Sequence, residues 1–146
     1  MDTAQYKNEF ISEARDHLDT LNECLLILEK NSQDVDNINR LFRAFHTLKG
    51  NSATMGFMKF SELAHSLESV LSKVRDKELD INPDVMDLVF QGCDILETGL
   101  EEISNDNPEN IEIDLIIPEL KKVIGAKEIV IHVNIGEFAD LNDADK

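Results

Sequence analysis

His46, Lys49, His65 and Glu68 are polar side chains that could act together as a nucleophile and its supports. His46 and Lys49 are three residues apart, as are His65 and Glu68, so on helices each pair shares a face. A neutral imidazole with one free nitrogen is a nucleophile, and a carboxylate on its other nitrogen fixes the tautomer. An ammonium nearby offers charge to phosphoryl oxygens. The surroundings favour an anionic visitor. From Ile38 to Ser61 there are four basic residues (Arg40, Arg43, Lys49, Lys59) and no acidic one, in a chain of 30 acids and 14 bases. A phosphoryl group received on His46 is the leading reading. The alternative takes Arg40 and Arg43 as solvated helix charges and His46 as a boundary histidine.

The apolar period around these residues, and along nearly the whole chain, is helical. A first helix is expected from about Thr3 to Lys30, with Phe10, Ile11, Leu18, Leu21, Leu25 and Leu28 on one face. Asn31 to Asp34 breaks it. A second, from about Asp36 to Met55, repeats Ile38, Leu41, Phe42, Phe45, Leu48 and Ser52 at three and four. Gly56 to Met58 is a turn, and a third helix follows from about Lys59 to Asp76. Asn82 caps a fourth, with Pro83 at its first position and Asp84 at the positive end of its dipole, reaching about Ile103. A short fifth, about Asp114 to Ile124, is expected to stop at Gly125. Long amphipathic helices with short connections imply antiparallel neighbours, so the fold class is all-α, an up-and-down helical bundle. Lys127 to Ile135 reads as a possible strand without a sheet to join, and the tail, polar and acidic from Asp140 to Lys146, as a linker or the beginning of a further element.

In an antiparallel hairpin turning near Phe57, residues whose numbers add to about 114 share a height. His46 then faces Glu68, and Lys49 faces His65. Glu68 is placed to accept the Nδ1 proton of His46 and leave Nε2 to attack. Lys49 would lie near the incoming phosphoryl oxygens. Gly50, one turn past His46, removes a side chain and opens the way to a partner's active site. No phosphate-cradling glycine loop, magnesium carboxylate cluster or nucleotide fingerprint accompanies them. The domain would therefore have to receive its phosphoryl group and hand it on.

The totals narrow the classes further. A length of 146 residues suffices for one domain with a core. A net charge of −16 argues against nucleic-acid or anionic-membrane partners. No signal peptide is read at the N-terminus, and no apolar run approaches the ~20 residues of a membrane helix. Cys24 and Cys93 fall in helical patterns and read as reduced core or boundary residues. A cytoplasmic domain is expected. Two rivals stand beside the carrier reading. His46, His65 and Glu68 could form a two-His, one-carboxylate metal set, against which the charge of Lys49 argues. A helical adaptor without chemistry is the other.

The segment from Arg43 to Phe57, with His46, Lys49 and Gly50 at its centre, resembles the phosphorylation motif of histidine phosphotransfer (HPt) domains. It is most similar to the N-terminal phosphotransfer domain of CheA-type chemotaxis histidine kinases. Leu63 to Leu71, with His65 and Glu68 three apart, resembles that family's following helix, and Phe10 to Glu29 resembles its first. The resemblance covers roughly residues 5–125. Asn51 departs from it, since many relatives carry Gly or Ala there; on a helical wheel it points mostly outward, so tolerance is expected.

The resemblance implies a four-helix HPt bundle plus a fifth C-terminal helix over residues 1–125. Residues 126–146 would be an acidic linker toward another domain. His46 matches the phosphorylated histidine and Glu68 the glutamate bonded to its imidazole. Lys49 and His65 match the supporting residues. It implies no cofactor in this domain: ATP and Mg²⁺ belong to the kinase's catalytic domain, and Mg²⁺ to the response regulator. The partners would be that ATP-binding domain and a CheY- or CheB-like regulator. The isolated domain would be monomeric and not an enzyme alone.

Overall fold

The structure is a computed structural model that describes residues 2–135. Helix α1 spans Thr3–Lys30, α2 Val35–Met55, α3 Met58–Arg75, α4 Pro83–Ser104 and α5 Ile116–Ile135, with a 3-10 turn at Pro108–Asn110 before α5. Each start has a local cause. The Asp2 side chain accepts from the Gln5 amide while the Gln5 side chain reaches back to the Asp2 amide, a capping box on α1. Asp34 accepts from the Asn37 amide at 3.2 Å to open α2. Asn82 accepts from the Val85 amide at 2.9 Å ahead of Pro83.

The connection between α2 and α3 sets the register of the site. Gly56 takes a left-handed conformation, φ 83°, that other residues adopt only at a cost. Its amide donates to the Ala53 carbonyl, and the Phe57 amide donates to the Ser52 carbonyl at 2.9 Å. This pair of bonds ends α2 as a Schellman motif and starts α3 two residues later. The helices therefore run antiparallel with little slack.

The five helices form an up-and-down bundle. α1 packs on α2 and α4, α2 on α3, and α3 on α4, while α5 lies against α3 and α4. One apolar core unites them, from Leu21 and Leu25 through Phe45, Leu48, Phe60, Leu67 and Leu71 to Leu96, Leu100 and Leu120. Cys24 and Cys93 are free thiols within it. Burial pushes both thiols up, Cys93 far above its ordinary value, so they remain protonated packing groups.

The last element departs from expectation. α5 neither stops at Gly125 nor gives way to a strand; it continues to Ile135. A glycine inside a helix costs only about 1 kcal/mol. The β-branched run after it suits a strand, but a strand needs a neighbour for its amides, whereas a helix satisfies them within the segment. The acidic end, 136–146, lies outside the described residues.

Candidate phosphoryl-accepting site

The site lies along the seam between α2 and α3. The His46 side chain is 62% exposed, on the outer edge of α2. Glu68, facing it from α3, is buried, its side chain 9% exposed. Nδ1 of His46 lies 2.5 Å from Oε2 of Glu68. Lys49 Nζ donates to the other oxygen, Oε1, at 2.8 Å. Both oxygens of the carboxylate thus have a partner, which a buried carboxylate requires.

The protonation states follow from this geometry. Burial, the largest single influence on Glu68, pushes its carboxyl pKa up. The hydrogen bonds and charges of Lys49 and His46 together outweigh it, and the net pKa lies below the ordinary glutamate value. Glu68 is therefore ionised at neutral pH and can only accept. Nδ1 of His46 must then carry the proton in the 2.5 Å contact. In the neutral ring that leaves the lone pair on Nε2, which has no hydrogen-bond partner among the described residues.

The structure joins three of the five sequence-derived residues, His46, Lys49 and Glu68, by direct contact, and Lys49, Gly50 and His65 line one recess beside them. His46 and Glu68 meet as the hairpin register predicts. Lys49 directs its ammonium to Glu68, so it neutralises the buried carboxylate behind the imidazole. Lys49 and His65 line a shallow recess with Gly50, Ala53, Met58, Ser61 and Glu62. His65 is exposed there and makes no hydrogen bond or ion pair among the described residues. Gly50 is also exposed, and a Cβ built on it would meet nothing within 4 Å. Asn51 does not point mostly outward: it is half-buried in a groove with Tyr6, Phe10 and Met55 of α1 and α2.

Among the described residues, no three His, Cys, Asp or Glu side chains converge as a metal group would require. The His46, His65 and Glu68 set therefore has no geometric support.

Sequence reading passed over two supports. The Ser52 hydroxyl donates to the Leu48 carbonyl at 2.6 Å, with the Lys49 carbonyl 3.1 Å away, and the Ser61 hydroxyl donates to that Lys49 carbonyl at 3.1 Å. Ser61 comes from α3, so this bond pins α2 to α3 one turn from His46. The available signal was Ser52 itself, a polar residue on the apolar stripe of α2 and fully buried. Phe42, four residues before His46, has its ring 6.2 Å from the imidazole at an interplanar angle of 18°. The guanidinium of Arg75 lies 4.2 Å from the centre of that Phe42 ring.

Comparison with known proteins agrees with this arrangement. The family model described as "Hpt domain" matches residues 5–106, well over half of the chain. The chemotaxis protein CheA of Bacillus subtilis is 45% identical over 103 residues, covering 70% of this chain and 15% of that protein. The chain thus spans less than a fifth of the CheA proteins it matches. The CheA phosphotransferase domain from Thermotoga maritima superposes with a TM-score of 0.69 at 40% identity, covering 71% of this chain and 99% of that one. The phosphorylated P1 domain of CheA3, in complex with CheY6, from R. sphaeroides shares the fold. It has a TM-score of 0.77 at 24% identity and covers 84% of this chain and 97% of that one. With its helical bundle, its exposed histidine backed by a buried glutamate and this match along most of its length, the chain belongs to the Hpt domain family.

Proposed function

We propose that this chain is the phosphoryl-carrier domain of a CheA-type chemotaxis kinase. In this reading the ATP-binding catalytic domain of the same kinase phosphorylates His46, which passes the group to an aspartate of a CheY- or CheB-like response regulator. The observation that carries the reading is the buried Glu68 carboxylate on Nδ1 of an otherwise exposed His46, which leaves Nε2 free.

The steps follow from that arrangement. The Nε2 lone pair attacks the γ-phosphorus of ATP, and the bond to the β-phosphate oxygen breaks with its electrons leaving on ADP. Nδ1 keeps its proton, and Glu68 stabilises the positive charge that develops on the ring. In the second step a carboxylate oxygen of the regulator attacks phosphorus and the N–P bond breaks. Its electrons return to Nε2, restoring the neutral ring. Lys49 keeps Glu68 ionised throughout. ATP and Mg²⁺ enter with the partners, since phosphoryl transfer needs charge neutralisation that this site does not supply alone.

His65 supports the site from the rim of the recess. Gly50 leaves room for the partner's active site. Residues 1–125 act as the carrier, and residues 126–146, which begin inside α5, lead toward a further domain. No helix among the described residues is long and apolar enough to cross a membrane, and we place the domain in the cytoplasm, as a monomer.

The test is labelling with ATP, Mg²⁺ and a CheA-type catalytic fragment, comparing the wild type with His46→Gln. An acid-labile, base-stable phosphate on the wild type and none on the variant is the expected result. Equal labelling of both would move the site elsewhere. No labelling of either, with a fragment active on its own substrate, would leave the adaptor reading in its place.

A further inference from the structure

Glu68 alone does not orient its imidazole fully. A hydrogen bond at Nδ1 holds one atom of the ring, and a side chain 62% exposed has little packing to hold the rest. The ring also hangs from Cβ, so the pivot left to it is a small correlated rotation about its two side-chain torsions as the bond to Oε2 bends. Nε2 lies across the ring from that anchor, so a pivot turns the attacking lone pair away from the line it must share with phosphorus and the leaving oxygen.

A second contact opposes that pivot. The Phe42 ring lies nearly parallel to the imidazole, 18° between planes and 6.2 Å between centres, within the range of offset aromatic stacking. Phe42 is itself held. It is half-buried against the core, and the Arg75 guanidinium sits 4.2 Å from its ring centre. Arg75 is seven residues after Glu68, two turns along α3. One helix therefore reaches the imidazole by two routes: Glu68 directly at Nδ1, and Arg75 through the Phe42 ring.

We propose that Phe42 is a positioning residue for the acceptor imidazole, fixing the plane of the ring while Glu68 fixes its nitrogen, and that Arg75 holds Phe42 in that pose. Phe42 touches neither phosphorus nor nucleotide; it acts through His46. The proposal rests on the reading of His46 as the acceptor, and half of its test does not.

The experiment measures steady-state phosphorylation of this chain by a CheA-type catalytic fragment with ATP and Mg²⁺, for wild type, Phe42→Leu, Phe42→Tyr and Arg75→Gln. The His46 ring-proton shifts are recorded by NMR on the same samples. Phe42→Leu should lower kcat on the order of tenfold, less than the roughly hundredfold of a 1 Å misplacement, while KM stays within about twofold. Phe42→Tyr keeps the aromatic face and should stay near wild type. Arg75→Gln, at an exposed position, should lower kcat by about two- to threefold. The ring-proton shifts should move in Phe42→Leu and Arg75→Gln, with the core amide spectrum unchanged.

Wild-type kcat in a folded Phe42→Leu would overturn the proposal. So would equal losses in Phe42→Leu and Phe42→Tyr, or a loss confined to KM. If the wild type itself takes no label, the functional reading fails, and unmoved His46 ring shifts in Phe42→Leu would then overturn the positioning role separately.

Discussion

Leu67 and Glu68 are consecutive residues of α3, and they serve opposite seams. Leu67 faces α4, where Gly92 comes so near that a Cβ there would lie 2.7 Å from Leu67 Cδ2 and 2.8 Å from Cδ1. Glu68 faces α2, where His46 and Lys49 take its two oxygens at the edge of solvent. One seam is dry and close-packed; the other is polar and half open. The glycines on the two partner helices sharpen the difference. Gly92 is small because Leu67 fills the space. Gly50, on the outer surface of α2, has nothing within 4 Å that a Cβ would meet. A mid-helix glycine costs about 1 kcal/mol against alanine, and nothing inside the domain offsets that cost at Gly50. In the proposed function its bareness leaves room for a partner, and a substitution there tests that reading.

Four substitutions probe this contrast. The largest effect belongs to the dry seam. Leu67 is fully buried, and Leu67→Ala should cost about 2–5 kcal/mol in urea unfolding through lost burial and the cavity it leaves. A loss of only a few tenths would mean that the contact with Gly92 is loose. On the polar seam, Glu68→Gln should slow phosphorylation of His46 roughly ten- to a hundredfold, the scale seen when the carboxylate behind a metal-bound histidine is lost.

The same variant tests the electrostatics. The Glu68 pKa is lowered in the folded state, so the unfolded chain binds the proton more readily. The resulting stability is fully present above the ordinary glutamate pKa and is lost as pH falls through the lowered folded value. Glu68→Gln lacks this dependence. The stability difference between wild type and variant should therefore shrink on acidification across that window. A difference that grows would contradict the assigned shift.

Gly92→Ala comes next. The gain in helix propensity is outweighed by overpacking against the fully buried Leu67, and a net loss of about 1 kcal/mol is expected. Combined with Leu67→Ala, it should cost less than the two single losses added, because the new methyl enters the vacated space. Simple additivity in a denaturant double-mutant cycle would place the strain elsewhere. The smallest effect on stability is also the one of opposite sign. Gly50→Ala should stabilise the domain by about 0.5–1 kcal/mol while slowing transfer to and from its partners. Stabilisation with wild-type transfer would remove the case for partner access at Gly50.

Much of this was legible in the residues. The amphipathic period and the cap at Asn82 delimit the first four helices closely, while the cap at Asp34 lies in a stretch that reads only as a break. The pairing of His46 with Glu68 follows from the turn, because Gly56 leaves little freedom in the hairpin register. What register cannot supply is the direction of a side chain on its level. Lys49 shares a height with His65 yet sends its ammonium to Glu68, since a buried carboxylate draws the nearest donor. Ser61 and Arg75 reach across from α3 to a backbone carbonyl and to an aromatic face, contacts for which sequence spacing has no signature. The continuation of α5 past Gly125 was hidden by a β-branched run whose intrinsic preference opposes the context it meets.

In the proposed mechanism Glu68 holds Nδ1 and leaves Nε2 to carry the phosphoryl group. Phosphorylating ¹⁵N-histidine-labelled protein and reading the nitrogen–phosphorus coupling at His46 by NMR tests this most directly. Phosphorus is expected on Nε2, with Nδ1 still protonated and bonded to Glu68. Phosphorus on Nδ1, or on a residue other than His46, would contradict it.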